Sequence, residues 1–385
     1  MLTIADVRTR EDLSIVIDVL MLKEKDLQLY SFVTFLKNTL VAKNQKHEWY
    51  DDVNETETIT SGTSGSGLLW NSTSATQNLT INSSYISKLK VGDVLKLTPA
   101  GSGTEEIVIV KTVNTGANTI DVWARGACGS TAAAQTTTAF TIAKIGNAQG
   151  ENSDAIADSA AALVAGYNYT QIFESVARIS GTLRRSRGIA GDELDRQIIK
   201  KLKEQLQLLN STIVNGGRAL DTTNKIGSMG GLQRFLTTTS NVGGALTLAK
   251  LYTAVVACVN AGGTPSSIHA SALTIGKIEQ LFTGSVFLRP DSTRMGLTVK
   301  VISMLGLELA LYADRHVSDT EAYILDDSRI SYGPLDGGEY AGGAFAVYDL
   351  LDKDNGKTTA KQVLGEYTLE IRQPAAAGVR AYGIS

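Results

Sequence analysis

The chain has 385 residues, 43% of them apolar and 19% charged, so it can bury a sizeable core in three domains or fewer. Its 36 basic and 39 acidic residues give a net charge of −3, which excludes a broadly basic nucleic-acid binder. Two cysteines (Cys128, Cys258) and three histidines (His47, His269, His316) exclude a disulfide scaffold and a multi-cysteine metal site, and leave little material for triad chemistry.

Residues 1–52 begin as helix. Thr9 and Asp12 have capping-box spacing, followed by Leu13, Val16, Ile17 and Leu20 at helical intervals. A second apolar set follows at Leu27, Tyr30, Phe32, Val33, Leu36 and Leu40. Arg8, Arg10, Glu11 and Asp12 make a mixed-charge head unlike a secretory signal, and the apolar run 19–22 is far shorter than a membrane span. The chain is therefore expected in the cytoplasm when made, with no membrane partner. His47 to Asp52 alternate as a strand, with Trp49 and Tyr50 packed half-buried.

Residues 53–150 change character. Ser and Thr supply 27 of these 98 positions, a composition that suits strands and turns better than helices. Short β-branched runs at 79–81, 94–97, 106–113, 119–123 and 139–142 are separated by turn signals, and Asn114-Thr-Gly-Ala-Asn118 reads as a hairpin loop. The expectation is a small all-β module, entered through the flexible Gly62-Thr-Ser-Gly-Ser-Gly67 and inserted between helical zones.

Residues 151–234 read as a return to helix. Leu194, Ile198, Leu202, Leu206, Leu209 and Ile213 recur on one face, acidic residues open the pattern and Gly216-Gly217 stop it. A helix over 193–215 would be on the order of 35 Å long. A basic cluster (Arg178, Arg184, Arg185, Arg187) precedes it. From 235 onward the pattern is mixed α/β: a helix over 246–259 with Leu248, Leu251, Val255 and Cys258 near one face, a strand at Ile268-His-Ala270, and a helix over 275–282. Strands follow at 297–302, 307–312, 322–325, 345–351 and 361–372.

No reactive constellation emerges. Gly356-Lys357-Thr358 lacks the glycine that a phosphate-binding loop needs at 351, and His47-Glu48 lacks the second zinc-protease histidine at 51. Asp326-Asp327 are adjacent on an extended chain and read as solvated loop acids. The histidines are isolated in sequence and read as structural. No catalytic residue, cofactor or metal is expected.

Asn168-Tyr-Thr-Gln-Ile-Phe173 with Ile179-Ser-Gly-Thr182 resembles the signature of SU10-like phage major capsid proteins, a branch of the HK97 fold. Lys46-His-Glu-Trp49, Val91-Gly-Asp-Val94, Val122-Trp-Ala-Arg-Gly126 with Thr131-Ala-Ala-Ala134, Ile268-His-Ala-Ser271 with Gly276-Lys-Ile278, and the segment 363–372 agree with that family in order. The resemblance implies an α+β HK97-like subunit. Its N-terminal arm would be 1–45, and its extended loop 46–165, carrying an inserted β-domain at about 53–150. The peripheral domain would be 166–235 and 330–385, with a spine helix at 193–215, and the axial domain 236–329. It further implies self-assembly into hexamers and pentamers of an icosahedral virion shell around double-stranded DNA, held by weak non-specific contact. Partners would be a portal protein and any scaffold or cement proteins. Candidate subunit contacts are Trp49, Tyr50, Arg178, Arg184, Arg185, Arg187, Arg289 and Arg294. Two alternatives stand beside it: an encapsulin-type compartment, and a carbohydrate-binding protein built on the Ser/Thr-rich module with Trp70 and Trp123.

Overall fold

The computed structural model describes residues 32–33, 36, 38–52, 58–60, 79–81, 86, 88–99, 104–123, 126–131, 140–151, 163–185, 193–282, 288–294, 297–337, 344–350 and 358–385. The Thr9 capping box, the Gly62–Gly67 segment, Trp70 and Gly356-Lys357 lie outside them. The chain forms two compact units, one of Met1–Asp52 with Leu163–Ser385 and one of Val53–Ala162. The architecture is α+β, with many strands and few helices.

In chain order the first unit contributes β1 (Asn38–Thr39) and β2 (Lys46–Asp51). The second unit holds β3 (Thr58–Thr60), β4 (Leu79–Thr80), β5 (Asp93–Pro99), β6 (Glu106–Asn114), β7 (Thr119–Val122) and β8 (Phe140–Asn147). The first unit resumes with β9 (Val164–Tyr169), β10 (Gln171–Ser180), α1 (Gly181–Arg185), α2 (Glu193–Asn215), β11 (Ala219–Asp221), β12 (Ile226–Ser228), α3 (Leu232–Phe235) and β13 (Thr238–Gly244). Next come α4 (Leu248–Asn260), β14 (Ser267–Ala270), α5 (Ala272–Leu281), β15 (Leu288–Arg294), β16 (Leu297–Met304), β17 (Leu307–Ala313) and β18 (Glu321–Leu325). The chain ends with β19 (Ile330–Pro334), β20 (Ala346–Leu350), β21 (Thr358–Ile371), α6 (Pro374–Ala377) and β22 (Gly378–Ile384).

The second unit is one antiparallel sheet in the order β3-β8-β5-β6-β7-β4. Period-two alternation puts Leu95, Leu97, Val108, Val110, Ile120, Val122 and Ile142 on one face, where Ile81, Ile86 and Leu89 join them. The β6–β7 loop closes as the sequence indicates: Asn114 Oδ1 accepts from the backbone N–H of Gly116 and Ala117, both at 3.1 Å, and Asn118 takes a left-handed φ of 55°.

The first unit is organised by a seven-stranded mixed sheet, β13-β22-β18-β14-β17-β16-β15. Its central strands are buried on both faces. Ile268, Ala270, Ala322 and Ile324 turn toward the core that α4 and α5 cover through Leu251, Val255, Cys258 and Ile278. Tyr323 and Leu325, at alternate positions, turn to a second core of Phe32, Phe173, Leu209, Ile213, Val214, Ile330 and Leu369. That second core lies under α2 and a five-stranded sheet in which β19 and β10 flank β21, with β1 parallel to β19 and β20 also on β21.

Several expectations change. Helix α2 spans 193–215 as its leucine pattern indicates, yet Leu202 and Leu206 are only half-buried, while Gln205 and Asn210 are buried in their place. Gly216 ends the helix without a left-handed turn: its missing side chain leaves room for the carbonyl oxygens of Thr212 and Met229, and its own carbonyl accepts from Gly231 N–H at 2.9 Å. Helix α4 begins at Leu248, which is exposed rather than core-facing, with Thr247 as N-cap. The zone read as wholly helical opens instead with β9 and β10, because β10 finds a ten-residue antiparallel partner in β21 far along the chain. Strand β22 pairs with β13 and β18, so the last residues join the sheet built by strands from 238–325. Asp326 is no solvated loop acid. It is 2% exposed and accepts from Thr264 N–H and Oγ1 (both 3.1 Å), Ser328 Oγ (2.6 Å) and Arg329 Nε (3.0 Å).

Burial pushes the Asp326 carboxyl up, but the hydrogen bonds from Ser328, Thr264 and Arg329 outweigh it and hold the group below its ordinary value. Its stabilisation is complete above the unfolded-chain value of 3.8 and is lost as pH falls through the lower folded value. Asp326→Ala should cost about 3 kcal/mol in urea unfolding at pH 7. The gap from the parent chain should narrow once the pH drops below that range; a gap constant down to acid pH would contradict this account.

Candidate functional site

The motif Asn168-Tyr-Thr-Gln-Ile-Phe173 spans the junction of β9 and β10, and its side chains explain its composition. Asn168 is fully buried, and its amide is saturated. Nδ2 donates to the carbonyls of Gly230 (3.1 Å) and Leu369 (2.7 Å), and Oδ1 accepts from the N–H of Gly230 and Tyr169, both at 2.9 Å. One side chain thus joins β9, the turn before α3 and β21. Thr170 N–H donates to the Gln45 carbonyl (2.9 Å) and its Oγ1 to Glu366, while Gln171 Oε1 accepts from Met229 N–H at 3.1 Å. Phe173 fills the core against Phe345 at a ring separation of 6.3 Å.

These bonds fix a two-stranded ribbon, β2 with β9, in register from Lys46↔Tyr169 to Asp51↔Val164. A lone ribbon is marginal in water, so its anchors matter. His47 Nε2 meets Glu370 Oε2 at 2.6 Å, Gln373 N–H donates to Asp51 Oδ2 at 3.0 Å, and Gln373 Nε2 donates to the Asp52 carbonyl at 2.7 Å. Burial pushes the Glu370 carboxyl up, yet hydrogen bonds from His47 and Arg372 hold it below the usual range. On the other side, the Arg218 guanidinium stacks 4.1 Å over Tyr167, and Lys46 Nζ lies 4.7 Å from the same ring.

The contact residues predicted from sequence separate. Trp49 is buried: it stands opposite Gly166, whose missing side chain admits the indole, and tilts against Phe235 at 6.1 Å. It is a packing residue of the ribbon. Tyr50, its neighbour, is 66% exposed. Arg178 is exposed on β10, across from Ala360. Arg184 and Arg185 lie in α1 and Arg289 and Arg294 in β15, with side chains outside the described residues, as is all of Arg187. The exposed apolar side chains are spread over several elements: Tyr50 and Val164 on the ribbon, Ile172 on β10, Ile199 and Leu208 on α2. Sequence reading ranked the arginines above these, since an exposed isoleucine is indistinguishable from a core one until the fold is known. Among the described residues no group of three or more His, Cys, Asp or Glu could hold a metal ion, and no helix is long and apolar enough to cross a membrane.

If Asn168 is the tie between β9, the Gly230 turn and β21, then Asn168→Asp should be as harmful as Asn168→Ala. The aspartate keeps the shape but turns an oxygen toward two carbonyls. Each should lower stability by about 3 kcal/mol, since buried partners are left unsatisfied. Chemical denaturation would show it, and an aspartate variant close to the parent would contradict the assignment.

Among solved structures the chain is similar to a cyanophage A-1(L) capsid subunit, with 13% identity over 62% of this chain and 85% of that one, at a TM-score of 0.48. It is also similar to the SrpI encapsulin of Synechococcus elongatus PCC 7942 (14% identity, 58% and 78% covered, TM-score 0.44) and to Mycobacterium phage Cain (12% identity, 62% and 79% covered, TM-score 0.39). No curated protein matches it in sequence. The family model described as SU10 major capsid protein matches residues 4–381, nearly the whole length, and the chain belongs to that family.

Proposed function

We propose that this chain is the shell-forming subunit of a tailed-phage capsid of HK97-like fold, assembling as hexamers and pentamers around double-stranded DNA. The observation that carries the reading is the family match over residues 4–381. The structure is compatible with it: Tyr50 and Val164 on the ribbon, Ile172 on β10 and Ile199 and Leu208 on α2 are exposed apolar side chains. Such a surface suits many modest contacts with several neighbours, each of standard interface size of roughly 1,600 Å².

Within that reading the β2–β9 ribbon is the root of the extended loop. The unit Val53–Ala162 lies in sequence between two strands that pair with each other, the arrangement expected of a domain inserted into a loop. The subunit is non-enzymatic and is incorporated into the virion after assembly in the host cytoplasm. Its other partners are a portal protein, any scaffold or cement protein, and packaged DNA held by weak contact, in keeping with a net charge of −3.

Two outcomes test this. Ile199→Asp with Tyr50→Asp should leave the far-UV spectrum and melting of the chain unchanged while cutting shell yield by at least about tenfold, because each removes an apolar contact of about 2 kcal/mol at every copy. Unchanged yield would contradict the surface assignment. Nuclease-protected DNA inside purified shells supports the container reading, and enclosed protein cargo overturns it in favour of a compartment.

A further inference from the structure

The outward face of the β2–β9 ribbon carries side chains that the anchoring of its inward face does not use. Register sets Lys46 opposite Tyr169, Glu48 opposite Tyr167 and Tyr50 opposite Ala165. Period-two alternation puts these six on one face, away from the buried Trp49 and Asn168. Tyr50 and Ala165 are exposed, while Tyr167 and Tyr169 are half-buried and meet edge-on at 5.7 Å. Lys46 pairs with Glu48 across two positions of β2, so these two charges cancel. Arg218 joins the face through Tyr167 and is itself exposed. Its contacts among the described residues are an Nη1 bond to the Tyr167 carbonyl at 2.9 Å and the rings of Tyr167 (4.1 Å) and Phe235 (5.4 Å). No carboxylate is among them.

We infer that this face docks a second copy of the chain, with Arg218 receiving a carboxylate of that copy and Tyr50, Tyr167 and Tyr169 supplying the contact area. The inference rests on the shell-forming reading above and names a surface that would serve it. A guanidinium seated against two rings is ordered before a partner arrives, and most of its donors remain to be spent. Two observations favour a protein carboxylate over the phosphates of a nucleic acid. The local surplus is a single positive charge, because Glu48 matches Lys46, whereas a surface that tracks phosphates needs several. Tyrosine and arginine are also the side chains that concentrate binding energy in protein interfaces. The second copy offers the complementary charge. Glu174 on β10 and Asp195 on α2 are exposed, pair with no cation among the described residues, and share their elements with the exposed Ile172 and Ile199. A contact between the ribbon face and either of these elements is heterologous, and contacts of that kind close into rings.

Hydroxyl-radical footprinting of the full-length chain, free and in purified shells, tests the docking. Modification of Tyr50, Tyr167 and Tyr169 should fall by at least about threefold in shells, because an interface excludes water from its centre. The protection should be the same in shells emptied of DNA. Arg218→Ala should cut shell yield by at least about tenfold while the free chain keeps its far-UV spectrum, and Arg218→Glu should cut it at least as far, since it sets two carboxylates against each other. A parent chain that forms no shell removes the functional reading and this inference with it. Shells in which the three tyrosines stay as reactive as in the free chain overturn this inference alone. So does protection that disappears with the DNA, which would move the partner to nucleic acid, and so does a folded variant at Arg218 whose shell yield matches the parent's. Should both variants fail to fold, the footprint of the parent chain decides.

Discussion

The first unit is built around the saturated amide of Asn168. A chain that leaves this unit at residue 52 and returns at 163 must hold its two exit strands fixed without help from the residues between them. The Asn168 side chain does so by joining β9 to the peptide of Gly230 and to β21 at Leu369. His47 with Glu370, and Asp51 with Gln373, give β2 the same purchase on the same end of the chain. The cost of closing so long an excursion grows only slowly with its length, provided its ends are held together. That makes the β2–β9 junction a tolerant place for a long excursion of the chain.

From that frame the rest of the architecture follows. Strand β21 serves β10, β19 and β20 at once, and β14 and β18 separate two cores by the alternation of their side chains. Polar side chains in the interior are spent on ties between segments distant in sequence: Asn168, Asn210, Asp326 and Glu370 each bridge elements that local propensity could not bring together. The chain held together by these ties belongs to the SU10 major capsid protein family.

How legible this was depends on the range of the interaction. Helix α2 could be read to its terminal residues because its leucines repeat locally, and β21 because Val363, Leu369 and Ile371 alternate over a long run. Strand β10 was hidden: its inward positions include the small Ala177 beside Phe173 and Ile179, and its partner lies nearly two hundred residues on. Strand β22 is fixed by non-local pairing to β13 and β18. The motif at 168–173 pointed to the family, but its reason could not be read, since an asparagine that satisfies three backbone segments looks in sequence like one that faces water. Asp326 was misread as solvated for the same reason, and the depth of Trp49 could not be read because the glycine that admits it is 117 positions away.

The central claim is that contact area between copies is this chain's function. Electron microscopy of the purified full-length protein over a range of concentrations tests it most directly. The account predicts closed shells of uniform diameter carrying five-fold and six-fold capsomers; a monomer that persists at every concentration would contradict it.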